Sequence, residues 1–262
     1  MNIIVTVKQV ADPNIPPSHI QLDPAAKRII SPFGIPPVMN GYDANALEEA
    51  LRLREKHGGR VTALGLGDDT ARESLKRAAA MGANAVVLLN DADWMHADSA
   101  GVARALIAAI RKLGEFDLIL CGRQASDTDG GQVLHWIAEA LDLPAVSPVA
   151  KIAESDGRNL TVHRLTEDGY QRLRVELPAL LGISSEINEP RFPPVRGKMA
   201  AERMLIPGWK ASDLGLEALI PKVELRQLQI QLRTSTAELI EGSSGAEQGA
   251  GLADKLHELG LI

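Results

Sequence analysis

The feature that most constrains the fold is the alternation of short apolar runs with helix-patterned segments through residues 1–150. Apolar runs at residues 2–7, 61–66, 85–89 and 117–121 predict buried strands. Residues 44–56, 71–81, 99–113 and 131–141 are predicted to be the helices that follow them. Continuous apolar strands separated by helices indicate a doubly wound, mostly parallel α/β sheet covered on both faces. Such sheets bind ligands at the carboxyl edge, where the strand order reverses.

Composition excludes several other classes of protein. The 262 residues have a formal net charge of −6 and only 3% aromatic residues, which argues against a basic, base-stacking nucleic-acid surface. The only cysteine, Cys121, rules out an internal disulfide and fits a reducing compartment. We find no secretory signal and no apolar run of membrane-spanning length. We therefore expect a cytoplasmic protein.

The pattern changes after Pro144. Residues 160–163 and 171–177 predict alternating strands around a turn at 167–169, and residues 179–183 predict a further apolar strand. We interpret all three as an antiparallel addition to the same domain. Residues 241–251 have the composition of a flexible linker, and residues 252–261 predict a short terminal helix that packs on a partner or folds back.

The segment most informative about function is CGRQASDTDGGQVLHWIAEALDLPAV, at residues 121–146. Gly122, Gly130 and Gly131 would allow close backbone approach to a ligand, and a helix starting near Gly131 would direct free N–H groups at an anion. Gln132 and Arg123 are candidates to bond a phosphate. The segment matches neither a P-loop nor a GxGxxG fingerprint, so phosphoryl transfer and NAD binding do not follow. The alternative is a polar turn with nothing bound.

Two further features have a structural and a functional reading. Gly65 and Gly67 fit a tight turn, which is favoured in isolation, or a nucleotide's close approach. Asn40, before the first long helix, is predicted to be a helix cap, with a ligand contact as the alternative.

Catalytic candidates are weak. The six histidines lack metal-ligand spacing, and no GxSxG elbow is present. Cys121 is interpreted as a small buried hydrophobe. Asp127 and Asp129 are a possible carboxylate pair, but their glycine-rich turn favours hydrogen bonds that stabilise the loop. The residues therefore predict a nucleotide-binding α/β protein with no catalytic residue and no metal site.

Five sequence blocks, in order, resemble those of a known family. They are VKQVADP (7–13), MNGYDANALEEALRL (39–53), RAAAMGANAVVL (77–88), CGRQASDTDGGQ (121–132) and ELPALLGISSEINEPRFPPVRGKMAA (176–201). Together they resemble the beta (small) subunit of electron transfer flavoprotein over nearly the whole chain.

The resemblance implies a heterodimer with an alpha subunit that holds most of an FAD. Such a carrier moves electrons between flavin dehydrogenases, such as acyl-CoA dehydrogenases, and an acceptor. The beta subunit would have a fold similar to that of adenine nucleotide alpha hydrolases, and would bind AMP or, in the electron-bifurcating type, a second FAD. The redox chemistry would belong to the flavin, so the chain is expected to be a carrier subunit and not an enzyme, unless a second FAD supports bifurcation with NADH oxidation.

The resemblance also assigns nucleotide contacts by position, and Arg123 is added from the residues themselves. The predicted cofactor-binding residues are Thr6, Val7, Lys8, Asn40, Leu64, Gly65, Leu66, Arg123, Asp127, Thr128, Asp129, Gly130, Gly131, Gln132 and Val133. Thr128 stands where the bifurcating pattern has glycine, and Gly41 replaces a usual proline. These departures leave AMP and FAD equally open.

The segment RFPPVRGKMA, at residues 191–200, matches the family's dehydrogenase-docking loop. Val195 stands at the position of the family's apolar anchor, and Arg191, Arg196 and Met199 are the other predicted partner-binding residues. A plain surface loop ending in a short helix is the alternative. We thus divide the chain into a nucleotide-binding domain (1–190), a partner-recognition loop and short helix (191–205) and an arm that packs on the alpha subunit (206–262).

A second function hypothesis remains open at this point. A nucleotide-binding protein of universal-stress-like or hydrolase type would share only the fold. It would act as a homo-oligomer that turns over ATP. The sequence does not identify the electron donor or acceptor.

Overall fold

The computed structural model describes residues 1–23, 25, 27–94, 97–217, 221–230 and 237–262, in which strands and helices alternate as the sequence predicts. The strands are β1 Asn2–Val7, β2 Gln9–Val10, β3 Gln21–Asp23, β4 Arg28–Ile30, β5 Val38–Met39, β6 Arg60–Leu66, β7 Ala85–Leu89, β8 Leu118–Gly122, β9 Ala145–Ser155, β10 Asn159–Thr166, β11 Gly169–Glu176, β12 Ala179–Ile183 and β13 Gly208–Trp209. The helices are α1 Gly41–His57, α2 Arg72–Met81, α3 Ser99–Leu113, α4 Val133–Ala140, α5 Val195–Arg203 and α6 Gly245–Glu258.

One large sheet organises the molecule, with strand order β11-β10-β9-β12-β8-β1-β6-β7-β13. Its strands are parallel from β9 through β13, and β10 and β11 extend it as antiparallel neighbours of β9. The chain builds outward from β1 to β6 and β7, then crosses back to place β8 on the other side of β1. The predicted doubly wound, mostly parallel α/β class is confirmed, and the strand order reverses between β1 and β8.

Side chains of the parallel strands point alternately to two apolar layers, because successive residues of a strand face opposite sides. In β1, Ile3 and Val5 join the layer that contains α1, α2 and α5, whereas Ile4 joins the layer that contains α3 and α4. Both faces of the sheet are therefore covered by helices, and the ends of the strands are left for a site.

Two strand predictions after Pro144 need correction. Residues 179–183, predicted to belong to the antiparallel addition, form β12, which is parallel to both β8 and β9. Their unbroken apolar sequence suits a strand buried on both faces. Strand β9 was not predicted, and Pro148 within it falls at a register shift opposite Leu181 to Ile183. Proline within an apolar run argues against a strand unless an irregularity accommodates it.

The described residues form two compact units, Met1–Leu228 and Gln229–Ile262. In the second unit, the linker predicted at 241–251 is wrong from residue 245 onward, where α6 begins. The Ser244 side chain accepts a hydrogen bond from the Glu247 backbone N–H and so starts the helix. The predicted terminal helix is thus present but starts seven residues earlier. No described helix is long and apolar enough to cross a bilayer.

Candidate nucleotide-binding site

The candidate site lies at the carboxyl edge of the sheet, where the strand order reverses. The adjacent strands β1 and β8 end there at Val7 and Gly122, and the loop of residues 123–132 leaves β8 toward α4. A crevice between such strands is where open α/β sheets bind ligands. The segment predicted to be most informative is therefore at the expected place.

A buried carboxylate joins the ends of the two strands. Asp43, in the first turn of α1, accepts the backbone N–H of Lys8 (2.7 Å) and that of Gly122 (3.1 Å). A Cβ at Gly122 would overlap this carboxylate, so the glycine allows Asp43 to pack against the end of β8. Burial raises the pKa of Asp43 to about 7, although these hydrogen bonds act to lower it.

Asn40 fastens the loop to the same end of α1. It is only 1% exposed, and its Nδ2 donates to the Gln124 carbonyl (2.9 Å) while its Oδ1 accepts from the Ser126 N–H (3.2 Å). Asn40 stands at the N-cap position, but its side chain makes no capping bond. The predicted capping by this side chain is therefore not observed, and its polar atoms hold the loop instead.

The loop itself is folded by internal bonds and open to solvent. The N–H of Asp129 donates to the Ala125 carbonyl (2.8 Å), and the Asp129 carboxylate accepts from Gln124 Nε2 (2.8 Å). Asp129 and Gly131 have positive φ angles of 48° and 57°, a turn conformation that favours short polar residues and glycine. Residues 126–130 are exposed, so their backbone faces the space outside the strand ends.

Two positive features meet at this loop. Lys8 Nζ lies 2.8 Å from Asp127 Oδ1, so a lysine from the end of β1 holds the exposed loop. The N-terminus of α4 has Gln132 at its N-cap position without a side-chain capping bond, and its first turn contains no acidic residue. A helix start without a side-chain cap, preceded by a loop that a lysine contacts, suits the phosphate of a nucleotide.

On the side of β6, most of the backbone pairs with neighbouring strands of the sheet. Leu64 and Gly65 pair in register with Thr6 and Val7 of β1, and Leu66 ends the strand beyond that register. A Cβ on Gly65 would lie 3.2 Å from the Val7 carbonyl oxygen. Gly65 thus lies within β6 and not in the tight turn that the sequence favoured, and it permits close packing of β6 on β1.

Arg123, a predicted cofactor-binding residue, is engaged by its neighbours at the start of the loop, next to the buried Cys121 side chain at the end of β8. The Arg123 guanidinium lies over the Tyr42 ring, 5.6 Å from its centroid, and its Nε donates to Gln124 Oε1 (3.3 Å). Cys121 is buried, and burial raises the pKa of its thiol to about 12, so it stays protonated. The interpretation of Cys121 as a small buried side chain fits this geometry.

The predicted docking segment presents apolar side chains to solvent. Phe192 is 81%, Val195 75% and Met199 59% exposed. Lys198 Nζ sits 4.7 Å from the centroid of the Phe192 ring, and Arg196 is also exposed. Phe192 was not among the predicted partner-binding residues, although an aromatic residue beside a matched anchor position was a signal for it.

Arg191, in contrast, is engaged within its own chain. Its guanidinium bonds Glu48 and Glu55 of α1 at 2.7 and 2.6 Å. Sequence reasoning missed these two glutamates, together with Asp43. Their only signal was spacing, since Glu48 and Glu55 stand seven residues apart and thus on one helix face.

The sequence of this chain is similar to those of several known proteins. A family model described as the electron transfer flavoprotein domain matches residues 30–214. The chain is 45% identical to an electron transfer flavoprotein subunit beta of Thermoanaerobacterium thermosaccharolyticum, over 75% of this chain and 73% of that one. It is 36% identical, over the full length of both chains, to the caffeyl-CoA reductase-Etf complex subunit CarD of Acetobacterium woodii. It is also 35% identical to the protein FixA of Azorhizobium caulinodans, over 97% of this chain and 93% of that one.

Proposed function

Because the chain belongs to the electron transfer flavoprotein family, as a homologue of its beta subunits, we propose that it is the beta subunit of a heterodimeric electron carrier. The alpha subunit would hold most of one FAD, and this chain would bind an adenine nucleotide at the β1/β8 crevice. The observation that supports this most is a loop held by Lys8 through Asp127, which leads into an α4 N-terminus without a side-chain cap, where the strand order reverses. Its lone cysteine fits a reducing compartment such as the cytoplasm.

The residues present fit the phosphate of AMP or the corresponding phosphate of a second FAD. The N–H groups at the start of α4 and the backbone of residues 127–131 would hold it, and Lys8 would add a positive charge. Thr6, Val7 and residues 64–66 would line the adenosine side, and Asn40 would act through the loop that it fastens. A flavin, when bound, supplies the redox chemistry, while the protein binds and orients it.

We further propose that Phe192, Val195 and Met199 form the surface that docks flavin dehydrogenases. Scattered exposed apolar residues are ordinary, but three on one short segment are typical of a protein-binding patch. The arm was predicted at residues 206–262, but Gly208–Trp209 pair with β7 in the large sheet, so the part proposed to pack on the alpha subunit is the second unit, Gln229–Ile262. In the unit Gln229–Ile262, the exposed Leu252, Leu259 and Leu261 supply an apolar surface for that contact.

The deciding experiment co-expresses the chain with an alpha subunit and quantifies the nucleotides released per heterodimer. One FAD and one AMP would support a conventional carrier in which this subunit holds a structural nucleotide. Two FAD and no AMP would support a redox flavin here and make electron bifurcation with NADH oxidation the mechanism to test.

A variant and its control connect that result to the crevice. Lys8→Met should reduce the nucleotide content of this subunit, because it removes the positive charge beside the loop. Lys151→Met, on an exposed position of β9, should leave the content unchanged. A chain that forms no heterodimer, binds no flavin and turns over ATP alone would overturn the proposal in favour of the hydrolase-type alternative.

A further inference from the structure

A polar clamp joins the docking segment to helix α1. Arg191 donates through Nε to Glu48 Oε2 (2.7 Å) and through Nη1 to Glu55 Oε1 (2.6 Å). Its backbone N–H also reaches Glu48 Oε2 (3.1 Å). Because Glu48 and Glu55 are seven residues apart, both project from one face of α1, and one guanidinium spans the two.

Arg191 compensates the buried negative charge of Glu48. The Glu48 side chain is only 4% exposed. Burial acts to raise its pKa, but hydrogen bonds from Arg191 and Arg52 lower it overall, so the carboxylate stays ionised. Removing one partner of such a pair leaves a buried charge without full compensation. These intramolecular bonds therefore fix the position of the Arg191 side chain.

A second set of bonds holds the segment just before Arg191. Asn188 Nδ2 donates to the Asn45 carbonyl and to Glu49 Oε2, both at 3.1 Å. Asn45 Nδ2 in turn donates to the Asn188 carbonyl (2.7 Å). Both partners lie on α1, so the helix fixes the backbone at residues 188 and 191.

The other side of the segment sits against α2. A Cβ at Gly197 would overlap the carbonyl oxygen of Ala80, and Ala201 of α5 is buried in the same apolar layer as α2. The segment is thus fixed before and after Phe192 and Val195. Between these fixed points its apolar side chains remain exposed.

We propose that Arg191 is a positioning residue, which preorganises Phe192, Val195 and Met199 for docking and does not itself contact the partner. The inference rests on the docking function proposed above. A surface ordered before association loses less conformational entropy when the partner binds. Loss of the clamp should therefore weaken docking without affecting the nucleotide or the electron transfer that follows docking.

The test uses the full heterodimer, with an acyl-CoA dehydrogenase as the electron donor. Arg191→Met should accelerate amide hydrogen exchange across residues 192–203 and raise the KM for the dehydrogenase about tenfold. The kcat and the nucleotide content should not change. Glu55→Gln, which keeps the buried Arg191–Glu48 pair, should produce the same pattern more weakly and covers the case in which Arg191→Met fails to fold.

Two comparison variants separate positioning from contact. Arg52→Met removes a different arginine from Glu48, since Arg52 Nε donates to Glu48 Oε1 (2.7 Å), but leaves the link to the segment, so exchange and KM should stay unchanged. Phe192→Ala removes a proposed contact residue, and it should raise KM without accelerating exchange.

The outcomes are distinguishable. If Arg191→Met raises KM with no change in exchange, Arg191 contacts the partner directly and the inference is wrong. If Arg191→Met accelerates exchange but leaves KM constant, while Phe192→Ala raises KM, then order in the segment does not matter for docking. That result also overturns the inference. If the triple alanine variant of Phe192, Val195 and Met199 leaves KM unchanged, the proposed docking surface fails instead.

Discussion

At the scale of single residues, the site depends on a carboxylate that was not among the predicted site residues. Asp43 binds the backbone of Lys8 and of Gly122, and so sets the spacing of the two strands that flank the crevice. Its neighbour Asn40 holds the loop from the same helix turn. The residues expected to contact the nucleotide are therefore supported by a layer of polar residues behind them.

The raised pKa of Asp43, about 7, predicts a specific pH dependence. The folded state takes up a proton between pH 8 and 5 that the unfolded chain binds only near pH 4. The free energy of unfolding should therefore rise as the pH falls through this window, by at most about 1.4 kcal/mol per pH unit. Urea unfolding at pH 8 and pH 5.5 measures it as the difference between wild type and Asp43→Asn.

A carboxylate elsewhere provides the control. Asp156 is exposed, and hydrogen bonds from the N–H groups of Arg158 and Asn159 lower its pKa, so it stays ionised above pH 5. Asp156→Asn should therefore keep the wild-type pH dependence. Equal pH dependence in wild type and Asp43→Asn would show that the carboxyl of Asp43 does not titrate in this window.

At the scale of secondary structure, α6 shows how composition and local chemistry differ as predictors. The glycines and serines of residues 241–251 indicate a linker, yet Ser244 and Glu247 have the spacing of a capping box. Ser243 adds hydrogen bonds from its N–H and hydroxyl to Glu247 Oε2 (2.9 and 2.6 Å). The spacing of these residues predicts the helix start, and average composition does not.

We predict that Ser244→Ala destabilises α6 by about 1 kcal/mol, because the first turn loses the acceptor of the Glu247 N–H. Amide hydrogen exchange over residues 245–258 should accelerate about fivefold. Asp254→Asn, at an exposed position in the middle of the helix, serves as the comparison and should alter exchange little. Unchanged exchange in Ser244→Ala would mean that the cap does not control the helix.

The strands of the large sheet also differ in how well local sequence predicts them. Apolar runs and helical spacing were enough to predict β1, β6, β7 and β8 and the helices between them. They did not predict β9, because its first half contains Pro148 and apolar residues alternate with polar ones in its second half. Whether such a segment becomes a strand is decided by its neighbours β12 and β10, which local sequence does not describe.

At the scale of the whole molecule, the order of the strands determines where a ligand can bind. Alternation of strands and helices predicted the class of fold, and the reversal between β1 and β8 then locates the crevice. Sequence blocks indicated the loop after β8, but not the bonds of Asn40, Asp43 and Arg191. Those bonds join residues more than 30 positions apart, so they depend on the completed fold.

The division of the chain into two units predicts the result of truncation. Both apolar layers lie entirely within Met1–Leu228. A chain lacking residues 229–262 should therefore fold with a melting temperature within a few degrees of the full chain. It should fail to elute with an alpha subunit in size-exclusion chromatography, if the arm forms that contact.

The companion variant keeps the length of the chain. Replacing Leu252, Leu259 and Leu261 by serine removes three of the exposed apolar side chains of the second unit, and it should reproduce the loss of co-elution. A truncated chain that no longer melts cooperatively would show instead that the first unit depends on the second.

Helix α1 sets the spacing between the residues that reach the crevice and those that hold the docking segment. Asp43 and Asn40 stand at its start and reach the crevice, whereas Glu48 and Glu55 hold the docking segment one to three turns further along. One residue inserted between Asp43 and Glu48 would rotate the two groups by about 100° relative to each other. Substitutions on the solvent-facing side of α1 would thus leave both groups in place, whereas a change in the number of residues between Asp43 and Glu48 would separate them.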